Sequence, residues 1–139
     1  MRKPLILLTL LALLLLAVVP AVAQDDEEFI FGVILVGPRN DQGWSQAHVE
    51  GANYVVEQLA EDGVTARPII FENLNPAVNP QVTLLDVVEN MVDEGAELIL
   101  TTSDEFEPET LEAAEEFPDI PFVHISGSGA LDQTAGDIY

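Results

Sequence analysis

Four apolar blocks stand out along the chain, residues 29–36, 64–71, 97–102 and 120–125, each of strand length and rich in Val, Ile, Leu or Phe. The stretches between them carry helical spacing. The first predicted helix runs over about 45–61, with Ala47, Gly51, Val55 and Leu59 at four-residue intervals on the inward face. Gln46, Glu50, Asn53, Glu57 and Glu61 fall opposite them, and Gly63 ends the helix. The second is predicted to start at Asn79-Pro80, an N-cap followed by proline at the first helical position. It turns Val82, Leu85, Val88 and Val92 inward and stops at Gly95. A short third helix is expected over about 108–117. Strands alternating with helices predict an α/β fold with a parallel sheet, because parallel neighbours need a crossover and a helix supplies it. The nearly unbroken apolar character of the first strand fits burial on both faces.

Ahead of these blocks the chain has a different character. Arg2 and Lys3 precede an apolar run over 5–19, and Ala21-Val22-Ala23 supplies small residues for cleavage. This is the layout of a secretory signal peptide over 1–23; a membrane-spanning anchor needs about 18 to 20 apolar residues, and this run is shorter and broken by Pro20. Residues 24–28 read as a solvated acidic leader, and 29–139 as one folded unit. The chain reaches Tyr139 where a fifth strand is due, so 29–139 is expected to be the incomplete part of a larger domain.

The charge balance then narrows the function. Of 139 residues 25 are Asp or Glu and four are Lys or Arg, and cleavage after Ala23 would leave Arg39 and Arg67 as the remaining cations. Such a surface repels nucleic-acid phosphates and anionic lipid. The absence of cysteine excludes a disulfide framework, a thiol nucleophile, thiolate zinc sites and a lipid-modified cysteine anchor. No G-x-G-x-x-G follows the first strand and no Walker lysine motif occurs, which disfavours dinucleotides and nucleoside triphosphates. A phosphoryl-accepting receiver domain, with Asp104 as acceptor, lacks its lysine here. His48 and His124 do not assemble with a nucleophile and an orienting group, so no enzyme is expected.

Ligands of open parallel sheets bind outside the carboxyl ends of the strands, which directs attention to the loops 37–44, 72–79, 103–107 and 126–130. Trp44, the single tryptophan, offers a flat face for a planar ring, or else packs under the first helix. Asp41 is placed either to accept a pair of ligand hydroxyls or to cap the helix N-terminus. Arg39 is placed to clamp a phosphate or carboxylate, or faces solvent. Asp104 and Glu105 offer acceptors to a ring nitrogen or a cation, or extend an acidic surface; Phe106 walls a pocket or anchors its loop.

Residues 36–51, VGPRNDQGWSQAHVEG, resemble the first loop and helix of the basic membrane protein family of ABC-transporter substrate-binding proteins, the PnrA-like purine nucleoside binders. LILTTS at 98–103, TLEAAEEFPD at 110–119 and FVH at 122–124 are similar to that family's third strand, third helix and fourth strand. The resemblance implies a Rossmann-like parallel sheet forming the N-terminal lobe of a type I periplasmic-binding-protein fold, in which two lobes close on a ligand. It implies that Asp41 holds ribose hydroxyls and that Trp44, in place of the family's phenylalanine, stacks on a purine. The ligand-binding residues expected on this basis are Asp41, Trp44, Asn40, Ser103, Asp104 and Phe106, with no cofactor and no metal. After Ser103 the family usually carries an aromatic and a glycine, where this chain has Asp104 and Glu105. The implied function is an exported, monomeric receptor without catalysis, periplasmic or extracellular, delivering purine nucleosides or bases to a permease at the outer face of the plasma membrane. A ribose-type sugar receptor and an extracellular sensing module are the alternatives.

Overall fold

The computed structural model describes residues 28–128. The expected signal peptide, the leader up to residue 27, and residues 129–139 with the expected domain end lie outside the described residues. Four strands, β1 (Phe29–Ile34), β2 (Ala66–Phe71), β3 (Leu98–Thr101) and β4 (Phe122–His124), form one parallel sheet in the order β2-β1-β3-β4. Three helices connect them: α1 (Trp44–Glu61), α2 (Leu84–Asp93) and α3 (Glu107–Glu116), the last entered through a 3-10 turn at Asp104–Phe106. The predicted α/β architecture with a Rossmann-like parallel sheet is the one observed.

The alternation of β1 sorts its side chains between two cores. Phe31, Val33 and Leu35 join Ala52 of α1 on one side of the sheet, while Ile34 joins Leu84, Val87, Val88 and Met91 of α2 and Ala113 of α3 on the other. Gly32 is required by this second core. A Cβ there would sit 2.5 Å from Met91 Sδ and 2.6 Å from Ile99 Cδ1. At the outer edge β2 carries Pro68, whose missing N–H is tolerated on an edge strand and blunts further pairing.

Three local expectations change. The inward row of α1 is Ser45, Val49, Ala52, Val56 and Leu59, whereas Ala47, Gly51 and Val55 face solvent. Helix α2 begins later than expected, at Leu84, because Thr83 and Asp86 form a reciprocal capping box: Thr83 Oγ1 accepts the Asp86 N–H at 3.1 Å and Asp86 Oδ2 accepts the Thr83 N–H at 3.0 Å. Asn79 instead donates its side-chain amide to the Asn73 carbonyl at 2.9 Å, stapling the loop, and Val82 is exposed. Glu28, assigned to the solvated leader, pairs with Arg67 of β2 at 3.2 Å while the next residue, Phe29, hydrogen-bonds Thr65. The end of the expected leader is therefore stitched to the sheet.

Candidate functional site

The carboxyl ends of the strands carry most of the backbone irregularity. Gln42, Asn73 and Ser126 all adopt left-handed backbone, with φ of 57°, 59° and 72°, and each lies in the loop after a strand. Non-glycine residues visit that region rarely, and such outliers cluster where a loop is held for a purpose. The first two loops are tied together. Gly37 accepts from the Asn73 N–H at 3.2 Å, Val36 accepts from the Asn75 side-chain amide at 2.9 Å, and the Arg39 N–H donates to Glu72 at 2.9 Å.

Arg39 also forms an ion pair with Glu72 through its guanidinium. Those bonds hold the Glu72 carboxyl below the usual range, the backbone N–H of Arg39 first and its side chain second. The one basic group of the first loop is thus committed to a neighbouring carboxylate, and the phosphate-clamp reading of Arg39 finds its charge already matched.

Asp41 is engaged in the same way. Its Oδ1 accepts the N–H groups of Gly43 at 2.8 Å and Gln46 at 3.0 Å, and its Oδ2 accepts the N–H of Ser45 at 3.0 Å. The backbone bonds from Gln46 and Ser45 lead in holding its carboxyl below the ordinary aspartate value. Of the two roles that the sequence allowed it, closing the helix N-terminus is the one whose contacts are present among the described residues.

Trp44 opens α1 and remains 48% exposed. Its indole N–H donates to the carbonyl of Thr102, just past the end of β3, so the ring bridges the first helix to the third strand. Thr102 is itself fixed, its hydroxyl donating to the Ile34 carbonyl at 2.8 Å. His48, one turn along, sets its ring 4.7 Å from the indole at 56°. Since the Trp44 carbonyl can only accept, the 2.7 Å contact from His48 Nδ1 places a proton on that nitrogen. The result is an aromatic surface at the strand ends that is anchored at both its backbone and its ring nitrogen.

The other expected residues divide. Asn40 is exposed beside Asp41, Ser103 is buried directly after Thr102, and Asp104 is exposed at the start of the 3-10 turn. Phe106 is 5% exposed and belongs to the α2/α3 core, so it anchors its loop; it also walls a cavity of about 270 Å³ with Leu74, Asn75 and Glu105. Trp44 and Asp41 do not line that cavity. Sequence reasoning missed Glu72 and Thr102. Glu72 stood in the second loop as an acid among many, and the Thr102 contribution is a backbone carbonyl, which leaves no trace in residue type. Among the described residues no group of three or more His, Asp or Glu is placed to hold a metal ion, and no helix is long and apolar enough to cross a membrane.

Comparison with known proteins bears on this arrangement directly. The profile of the Bmp family, described as ABC transporter substrate-binding protein PnrA-like, matches residues 30–134. The chain belongs to the Bmp family. This is a family of substrate-binding proteins and not of enzymes. A purine-binding protein of Brucella abortus (strain 2308) is 28% identical over 110 residues, an alignment covering 79% of this chain and 29% of that protein. Among solved structures, an ABC transporter solute-binding protein from Conexibacter woesei DSM 14684 superposes with a TM-score of 0.57 at 25% identity, covering 76% of this chain and 32% of the other. The Bmp chain thus spans about a third of the length of these relatives.

Proposed function

We propose that this Bmp-family chain forms the first lobe of an exported receptor that binds a purine, as nucleoside or free base, for an ABC permease. The observation that carries the reading is Trp44, an exposed indole whose orientation is fixed from two sides at the carboxyl edge of the sheet. A planar heterocycle laid on such a face gains about 1 to 3 kcal/mol. The purine-binding relative from Brucella abortus supports the ligand class. The internal pairing of Arg39 with Glu72, and of the α1 N-terminus with Asp41, favours a ligand without negative charge. In this reading residues 1–23 direct export, 24–28 lead into the fold, and 29–139 supply one wall of a cleft whose other wall is a second lobe. Asn40, Ser103 and Asp104 rim the stacked ring.

The test is a titration of the full-length protein with adenosine, guanosine, adenine and ribose, followed by Trp44 fluorescence. Saturable quenching by the purines is expected. Trp44→Ala, followed calorimetrically, should weaken purine binding by about 5- to 150-fold while Trp44→Phe retains most of it. A response to ribose alone would replace the purine reading with the sugar receptor.

A further inference from the structure

An ionised carboxylate has about four acceptor positions. At Asp41 three are filled by the N–H groups of Gly43, Ser45 and Gln46, at 2.8 to 3.0 Å. The Ser45 side chain also helps to lower the Asp41 carboxyl, and its hydroxyl accepts the Gly37 N–H at 3.2 Å. Ser45 is thus tied to Gly37 by its hydroxyl and to Asp41 by its backbone N–H, and the loop closes on itself from the end of β1 to the first turn of α1. The three amides are donors that an α-helix N-terminus cannot pair internally, so withdrawing the carboxylate would strand them. Trp44 lies inside this ring of bonds, between Gly43 and Ser45, both of which donate to Asp41.

We propose that Asp41 is a positioning residue, which acts on the ligand through Trp44 by fixing the backbone from which the indole reaches the Thr102 carbonyl, and that it does not hold a ligand diol. A ligand diol at Asp41 would have to displace backbone amides that have nowhere else to go. The stacking platform is consequently preformed before any ligand arrives, and the specificity contributed by this loop is for a flat ring and not for a sugar. A ribose attached to the base is read, if at all, by groups other than Asp41.

The inference rests on the purine reading for its ligand arms, and its test has a second arm that does not. In the full-length protein, Asp41→Ala is compared with the unsubstituted form for adenine, adenosine and 2′,3′-dideoxyadenosine. The substitution should weaken all three by a common factor of roughly fivefold, the size of a lost helix cap. A loss for adenosine that is absent for adenine and the dideoxy compound would overturn the proposal, because it would place the hydroxyls on Asp41. In the ligand-free protein the same variant should show red-shifted Trp44 emission and lower anisotropy. Unchanged emission and anisotropy would also overturn it. Should no purine bind the unsubstituted protein, the purine reading fails while the ligand-free arm still decides the role of Asp41. Should Asp41→Ala not fold, hydrogen exchange of the Gly43, Ser45 and Gln46 amides in the unsubstituted protein takes its place. Slow exchange with and without adenosine is expected, and acceleration on adenosine addition is the contrary result.

Discussion

His124 ends β4 with its Nδ1 2.7 Å from Thr101 Oγ1, and the direction of that bond can be worked out from its neighbours. Thr110 Oγ1 lies 2.8 Å from the Phe106 carbonyl, which only accepts, and 3.0 Å from Thr101 Oγ1. With one proton per hydroxyl, all three contacts are made only if Thr110 donates to Phe106, Thr101 to Thr110, and His124 Nδ1 to Thr101. The neutral ring then presents a bare Nε2, which is buried and has no hydrogen-bond partner among the described residues. Burial lowers the His124 pKa, partly offset by the charges of Glu107 and Asp104. Because the folded pKa lies below the ordinary 6.5, the unfolded chain binds the extra proton first, and stability falls as pH drops below about 6.5. Denaturant titrations between pH 5 and 8 should show this slope, and His124→Asn should flatten it. The carboxylates of Asp41, Glu72 and Asp86, all lowered, release their contribution in a separate window below about pH 4. At this scale the sequence was informative about place and ambiguous about role. Asp41 and Trp44 were legible as the residues at the mouth of α1, but whether the carboxylate looked outward or inward depended on where three backbone donors lay in space. Residue spacing alone does not encode that.

The helices show where periodicity misleads. A strict four-residue row advances about 40° per step around a helix of 3.6 residues per turn, so Ala47, Gly51, Val55 and Leu59 wind across the surface rather than along one face. The buried row alternates steps of four and three, through Ser45, Val49, Ala52, Val56 and Leu59, and so stays on the sheet. Its serine start hid it, because Ser45 is polar yet fully buried by its bonds to Gly37 and Asp41. Gly51 is exposed in mid-helix, with nothing within 4 Å of a Cβ built on it. Gly51→Ala is expected to raise stability by about 0.5 to 1 kcal/mol in chemical denaturation, through backbone entropy alone. A loss there would mean that the glycine face of α1 is covered. For α2 the true start was written in the chain as Thr83-Leu84-Leu85-Asp86, a capping box with Asp in the place of Glu, and the neighbouring Asn79-Pro80 carried the more familiar signature.

Across the whole molecule the parallel sheet, though not the order of its strands, followed from the alternation of strand and helix, since parallel pairing, two-sided burial of β1 and helices on both faces are one solution to the same constraints. Charge acts at this scale too. A formal charge of −21 is opposed within 28–128 by two ion pairs, Arg39–Glu72 and Arg67–Glu28, both at the surface and each worth about 1 kcal/mol or less. Self-repulsion among the carboxylates therefore outweighs attraction, and added salt relieves more repulsion than it costs in ion pairing. Melting temperature should rise between about 10 mM and 0.5 M NaCl in differential scanning calorimetry, and a fall would show that the ion pairs dominate.

The central place of β1 also sets an order in time. Synthesis begins at the N-terminus, yet β1 pairs with Ala66–Phe71 on one side and Leu98–Thr101 on the other. The strand made first gains its second neighbour only once β3 has been made. Until Thr101 has been added, an apolar segment waits with at least one bare edge, the condition in which chains join one another strand to strand. The acidic residues that surround it in sequence then serve a purpose before any fold exists, because they keep unfinished copies of the chain apart.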